Sequence, residues 1–146
     1  MTNQTAKRFG YPDTTIQEYD HWIVLLRQQQ ITLGSLVMCA KSEVTEFSAL
    51  PEGAYAEMGL VIQDIERVLR ETFEYEKINY LMLMMVDPNV HFHVLPRYSG
   101  SRSACGLTII DHGWPAAPKL DKARDLNAEE VDKLCNYVRD RWQCAA

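Results

Sequence analysis

The sequence predicts an α+β fold on a largely antiparallel sheet, and three observations lead there. Two short apolar runs, HWIVLLR at 21–27 and LGSLVMCAK at 33–41, are joined by the link QQQIT. Residues 51–73 then switch to helical spacing. Three more strand-like segments and a final helical one follow, giving the order β-β-α-β-β-β-α and a sheet of about five strands.

Taken in order, residues 1–15 are polar and read as a flexible arm ahead of a single domain that takes in the whole chain, 1–146. The two apolar runs are β-branched enough for strands, and their tight link makes them a hairpin. Pro51 and Glu52 suit the first turn of a helix, where proline loses no hydrogen bond and a carboxylate meets the positive end of the dipole. Met58, Val61, Ile62, Ile65, Val68, Leu69 and Thr72 then recur at helical spacing, while Glu57, Asp64, Glu66 and Arg67 lie elsewhere around the wheel. One stripe of that width is a long helix lying on a sheet.

KINYLMLMMV, 77–86, is apolar on both faces, as in a buried central strand, with Met82, Met84 and Met85 as core filler. Asp87-Pro88 ends it as a turn. A strand over 90–98 follows, and ACGLTIIDHGW, 104–114, reads as one more. Two prolines and several charges make 115–126 a loop. Asn127 and Glu130 form a capping box for a C-terminal helix whose apolar face is Val131, Leu134, Val138 and Trp142.

Composition narrows the function. Of 146 residues, 47% are apolar and 24% charged, with a net charge of −5. No basic cluster offers a footing to nucleic acid or a membrane surface, so neither is expected as a partner. No apolar run spans a bilayer, and the N-terminus lacks the apolar core of a secretory signal; a cytoplasmic protein is expected. Cys39, Cys105, Cys135 and Cys144 are scattered without a C-x-x-C pair, and read as reduced core residues or surface thiols.

The chemistry concentrates in VDPNVHFHVLPRY, residues 86–98. In a strand, side chains alternate faces. Val90, Phe92 and Val94 then enter the core, while Asn89, His91 and His93 form a polar row on the open face. Such a row could supply metal ligands, an imidazole nucleophile or acid–base group, or simply solvated surface histidines. His21 and His112 have no metal-type spacing and read as strand-end or loop residues, although either could complete a metal site. Trp114 reads as a packing residue.

The stretch from Asn89 to Leu95, with Pro96-Arg97-Tyr98 after it, resembles the H-φ-H-φ-H-φ-φ signature of the histidine triad (HIT) superfamily, where φ is apolar. The ending is similar to its diadenosine-polyphosphate-hydrolase-like branch. The opening hairpin with its turn at Thr32-Leu33-Gly34, the long helix and KINY also come in the family's order, so the resemblance covers roughly residues 18–114. It implies a HIT-like fold and a hydrolase or nucleotidyl transferase that cleaves a phosphoanhydride or phosphoramidate bond at an α-phosphate. His91 matches the family's nucleophile, which forms a covalent nucleotidyl-histidine, and His93 matches the histidine that contacts the phosphate. Asn89 stands where the first histidine would, and cannot carry its charge. These three are the candidate catalytic residues. Asn79 matches a strand asparagine beside the ribose–phosphate. With Arg97, which could hold a phosphate or serve in a salt bridge, and Arg27, it makes the candidate substrate-binding set.

The departures bear on substrate. Arg27 stands where many members have a ribose-binding Asp, Glu43 where many have a histidine, and Leu83-Met84-Met85-Val86 replaces a Gly/Ser/Gln-rich phosphate loop. The resemblance calls for no cofactor and no metal, a nucleotide-like small molecule as partner, and a homodimer paired through the 51–73 helix. The rival readings are a HIT-fold nucleotide-binding protein that has lost turnover, and a metal-binding protein using the H-x-H pair.

Overall fold

The computed structural model describes residues 3–144. Its elements, in chain order, are α1 (Gln4–Arg8), β1 (Thr15–Glu18), β2 (Trp22–Leu26), β3 (Gln29–Gln30), β4 (Leu36–Ala40), α2 (Glu52–Phe73), β5 (Lys77–Leu81), β6 (His91–Arg97), β7 (Ser101–Ala104), β8 (Leu107–Ile110), β9 (Arg124–Asp125) and α3 (Ala128–Cys144). A five-stranded sheet in the order β1-β2-β4-β6-β5 is antiparallel throughout. The expected α+β architecture, with one long helix and a C-terminal one, is the architecture found.

The two faces of the sheet are covered differently. Trp22, Val24, Leu26, Leu36, Met38, Ala40 and Val94 face a core shared with Val61, Ile65, Leu69 and Phe73 of α2 and with Leu134 and Val138 of α3. The Trp22 indole donates to the Ala54 carbonyl at 2.8 Å, pinning α2 to β2. α3 starts as the sequence indicates: Asn127 accepts from the Glu130 amide at 2.9 Å, and Glu130 accepts from the Asn127 amide at 3.0 Å. On the other face, Ile23, Leu25, Val37 and Cys39 lie under Ala6, with Phe9 and Tyr11 beside them.

That second cover is supplied by residues 3–14, whose polarity suggests a loose arm. The structure corrects this expectation. Asn3 caps α1 by accepting from the Ala6 amide at 2.9 Å, and its side-chain amide donates to the Ala40 and Ser42 carbonyls at 2.7 and 2.9 Å. Ala6 and Thr5 are buried, and Leu26 donates to the Thr14 carbonyl. The physical reason is the sheet itself. Ile23, Leu25 and Val37 would otherwise face water, and covering such side chains contributes about 1.5–3 kcal/mol each.

Other boundaries also move. The strand expected over 77–86 ends at Leu81 and lies at the sheet edge, not its centre. Beyond it Met85 is 82% exposed and so is not core filler, and Val86 is 72% exposed. The segment expected as one strand over 104–114 is the second half of the β7–β8 hairpin. Cys105 and Gly106, both with positive φ, form its two-residue turn. Pro51 is the cap of α2 and not part of its first turn. The 115–126 loop contains the short β9, which pairs with β3. Cys39 and Cys135 are buried and Cys105 half-buried; the Cys144 side chain lies outside the described part.

Candidate active site

Strand β6 fixes the histidine row by its register. His91 pairs with Cys39 and His93 with Val37, so both imidazoles lie on the face covered by residues 3–14, while Val90 and Val94 enter the opposite core. The expected alternation therefore holds, but the face is not open. His91 is 0%, Asn89 7% and His93 8% exposed. The Phe9 ring is the roof, its centroid 5.7 Å from that of His91 and 5.5 Å from that of His93.

Hydrogen bonds assign the tautomers. His91 Nδ1 lies 2.7 Å from the Asn89 carbonyl, which can only accept, so a proton is on Nδ1 and the neutral form of the ring has its lone pair on Nε2. Nε2 is buried with no hydrogen-bond partner. A buried polar atom left alone is unusual and asks for an explanation. His93 takes the opposite form. Arg27 Nε, which can only donate, approaches His93 Nδ1 at 3.4 Å, leaving the ring proton on Nε2. Burial first, then the Arg27 charge, then His91 push the His93 pKa down to about 4, so this ring is neutral at pH 7. The two ring centroids are 5.0 Å apart.

The Asn89 side chain is engaged within the protein. Its side-chain oxygen accepts from the Thr5 amide at 3.2 Å and hydroxyl at 2.9 Å, and its NH2 donates to the Glu43 carbonyl at 2.7 Å. Its backbone amide donates to the Thr5 hydroxyl at 3.1 Å. It latches α1 to the start of β6.

Arg27, Arg8, Phe9, Asp87 and His93 border a cleft of about 460 Å³, with Leu83 and Met85 on its rim. Arg27 is placed there by the turn that follows β2. Buried Gln30 accepts from the Gly34 and Ser35 amides at 2.8 and 3.2 Å and donates to the Arg27 and Ser35 carbonyls. Gly34 has φ +98°, and a Cβ there would lie 2.6 Å from the Phe73 ring, so the turn requires glycine.

Arg97 and Asn79 lie elsewhere. They share the histidine face, but Arg97 is four residues along β6 from His93, roughly 13 Å at strand rise. Arg97 grips Asp111 bidentately at 2.7 and 3.1 Å and also donates to Asn79 Oδ1 at 2.7 Å and the Ala116 carbonyl at 2.8 Å. Together with Trp114 they border a separate cleft. Of the six candidate residues, His91, His93 and Arg27 come together, Asn89 adjoins them through its carbonyl, and Asn79 and Arg97 form their own group.

His112 is exposed and His21 half-buried at the start of β2. Among the described residues, no group of three or more His, Cys, Asp and Glu side chains is arranged to hold a metal ion. Phe9, Thr5 and Asp111 are the site-shaping residues that sequence reasoning passes over. Only Asn3, three residues before Ala6 and ahead of the basic pair Lys7-Arg8, hints at a capped turn near the N-terminus.

A five-stranded antiparallel sheet backed by two helices, with an H-x-H row on a strand next to its edge, defines the class of protein. The sequence profile of the HIT domain matches residues 8–100, and the chain belongs to this family. Solved structures agree in fold. A histidine triad protein from Sinorhizobium meliloti 1021 is 19% identical, with a TM-score of 0.73 over 97% of this chain and 96% of that one. One from Marinobacter aquaeolei VT8 is 20% identical, with a TM-score of 0.71 over 96% of each. A zinc-bound histidine triad family protein from Mycobacterium smegmatis is 21% identical, with a TM-score of 0.64 over 97% and 95%. No curated protein sequence matches the chain. No helix among the described residues is long and apolar enough to cross a membrane.

Proposed function

We propose that the chain is a nucleotide hydrolase or nucleotidyl transferase acting through a covalent intermediate on His91. The observation that carries this reading is the His91 tautomer. The Asn89 carbonyl holds the Nδ1 proton at 2.7 Å, so the Nε2 lone pair is ready-made and without a competing partner. Attack forms a bond from Nε2 to the α-phosphorus and breaks the phosphoanhydride or phosphoramidate bond. The leaving group departs with the electron pair and takes a proton from solvent. Water then attacks the phosphorus, frees His91 and releases the nucleotide with one proton. His93, neutral with a proton on Nε2, donates a hydrogen bond to the phosphoryl group and adds no charge. Asn89 contributes by its carbonyl and by holding α1; it is no proton donor.

His91 is wholly buried beneath residues 3–14, so the phosphate reaches it only when this segment shifts. That burial favours the second reading, a nucleotide-binding protein without turnover. Quenched reactions with dinucleoside polyphosphates and nucleoside phosphoramidates separate the two. A nucleotide mass added to the His91 peptide, and absent in His91→Ala, is expected. Nucleotide binding with no adduct and no turnover would establish the second reading. A homodimer belongs to the same proposal, supported by Leu60 and Tyr55 exposed on α2. Sedimentation at micromolar concentration tests it, and a stable monomer would remove it.

A further inference from the structure

Arg27 is a half-buried guanidinium with little to satisfy it. Nη1 donates to the Gln29 carbonyl at 2.6 Å and Nε makes the long contact with His93. Among the described residues no carboxylate lies within ion-pair distance of it. Arg8, mostly exposed, reaches across the cleft to Asp87 at 3.1 Å, an ion pair without hydrogen-bond alignment. The charged groups bordering the cleft are thus two guanidiniums and one carboxylate, and the neighbouring His93 is neutral. A positive site of this kind, partly withdrawn from water, selects an anion over a neutral hydroxyl pair, because every polar group Arg27 offers is a donor.

We infer that Arg27, joined by Arg8 while α1 is seated, forms a subsite for a terminal phosphate monoester, so that the substrate carries a phosphate of its own besides the phosphorus attacked by His91. A terminal phosphate brings a charge of about −1.5 to −2 and three acceptor oxygens, which suits two guanidiniums better than a singly charged internal phosphate does. The cleft, at about 460 Å³, has room for a phosphate and the group bearing it. His93 borders it and stacks edge-on beside His91, which puts the subsite one group away from the scissile phosphorus. The inference deepens the proposed function and rests on it for the position of that phosphorus.

Equilibrium titration calorimetry with adenosine 5′-monophosphate and with adenosine 2′,5′- and 3′,5′-bisphosphates tests the subsite without turnover. At least one bisphosphate is expected to bind about tenfold or more tightly than the monophosphate, the worth of one charge-assisted contact. Whichever gains identifies the ester position. Arg27→Gln should abolish the gain and Arg27→Lys should keep part of it. Arg8→Gln, on an exposed side chain that puts folding at little risk, should reduce it, and Asp87→Asn should enlarge it. Equal affinity for all three nucleotides, or a gain that survives Arg27→Gln, would overturn the subsite. His91→Asn is expected to leave the preference intact. The failure of the catalytic reading therefore shows up as a missing adduct, and that of the subsite as a missing preference.

Discussion

The two ends of strand β6 carry buried polar side chains on the same face, and they are treated in opposite ways. At the C-terminal end Arg97 has a partner in each direction: both oxygens of Asp111, the Asn79 amide oxygen and the Ala116 carbonyl. Asp111 in turn accepts from the Tyr98 and Gly113 amides. At the N-terminal end His91 Nε2 is buried with no partner, under a ring that gives it none. A satisfied network holds structure, whereas an orphaned lone pair costs stability and asks for an explanation, which the proposed chemistry supplies. The difference separates residues of similar appearance in sequence: Arg97 and Asn79 are tied into one network, whereas His91 keeps one ring nitrogen without a partner and Arg27 has no ion pair among the described residues.

The comparison breaks or holds on four measurements. His91→Ala should lower turnover of a nucleoside phosphoramidate by three orders of magnitude or more, while melting stays cooperative. Near-normal turnover in a folded His91→Ala protein would erase the contrast. Arg97→Ala should act the other way, leaving Asp111 buried and unpaired. A loss of about 3–5 kcal/mol in denaturant unfolding is expected, with adduct formation at His91 retained in the folded fraction. A stable Arg97→Ala protein that no longer forms the adduct would move Arg97 into the site.

The third measurement is pH. The His93 pKa of about 4 in the folded chain lies below the 6.5 of an unfolded histidine. Between these values the unfolded chain binds a proton that the folded one refuses. The contribution is complete above pH 6.5, falls as pH drops towards 4, and is lost below it, amounting to ~3 kcal/mol at most. Unfolding at pH 7 and pH 4, compared between wild type and His93→Gln, isolates it. NMR titration of Arg27→Gln should show the His93 pKa moving up, since the Arg27 charge is the second cause of its depression. The smallest effect belongs to Asn89→Ala, which loses the contacts to Thr5 and Glu43. About 1–2 kcal/mol is expected, with faster amide exchange over residues 3–14 and unchanged exchange in α3. Uniform acceleration across the chain would show that Asn89 supports the whole sheet and not the segment alone.

What was legible in the sequence was what repeats. The stripe from Val61 to Leu69 and the capping box at Asn127 and Glu130 follow from helical period and local capping. The alternation of Val90, His91, Phe92 and His93 follows from the period of two. Contacts between distant segments leave no such mark. Nothing near Asn89 announces Thr5, 84 residues earlier. Nothing in Arg97 announces Asp111 in place of a phosphate. The run KINYLMLMMV misleads because an apolar stretch fits a buried strand equally well when its second half projects into solvent, as Met85 and Val86 do. The Cys105-Gly106 turn is hidden in an otherwise apolar stretch. Arg27 was placed at the site by resemblance, but its want of a counter-charge is visible only once its neighbours are known.

Helix α1 has five residues, too few to sustain itself in water. It is held in place through Asn3, Thr5 and Ala6, and contacts of so few side chains are of the kind that open locally. On the proposed function, its release would be a local equilibrium with a free energy of its own, and only the released fraction of molecules would present His91. Every 1.4 kcal/mol favouring the closed form would divide the observed rate by about ten, whatever the intrinsic reactivity of the imidazole. A substrate that itself prefers the released form would recover that factor; one indifferent to it would not, however tightly it bound. Side chains that never meet a ligand, such as Thr5 and Ala6, would then act as a throttle on the chemistry.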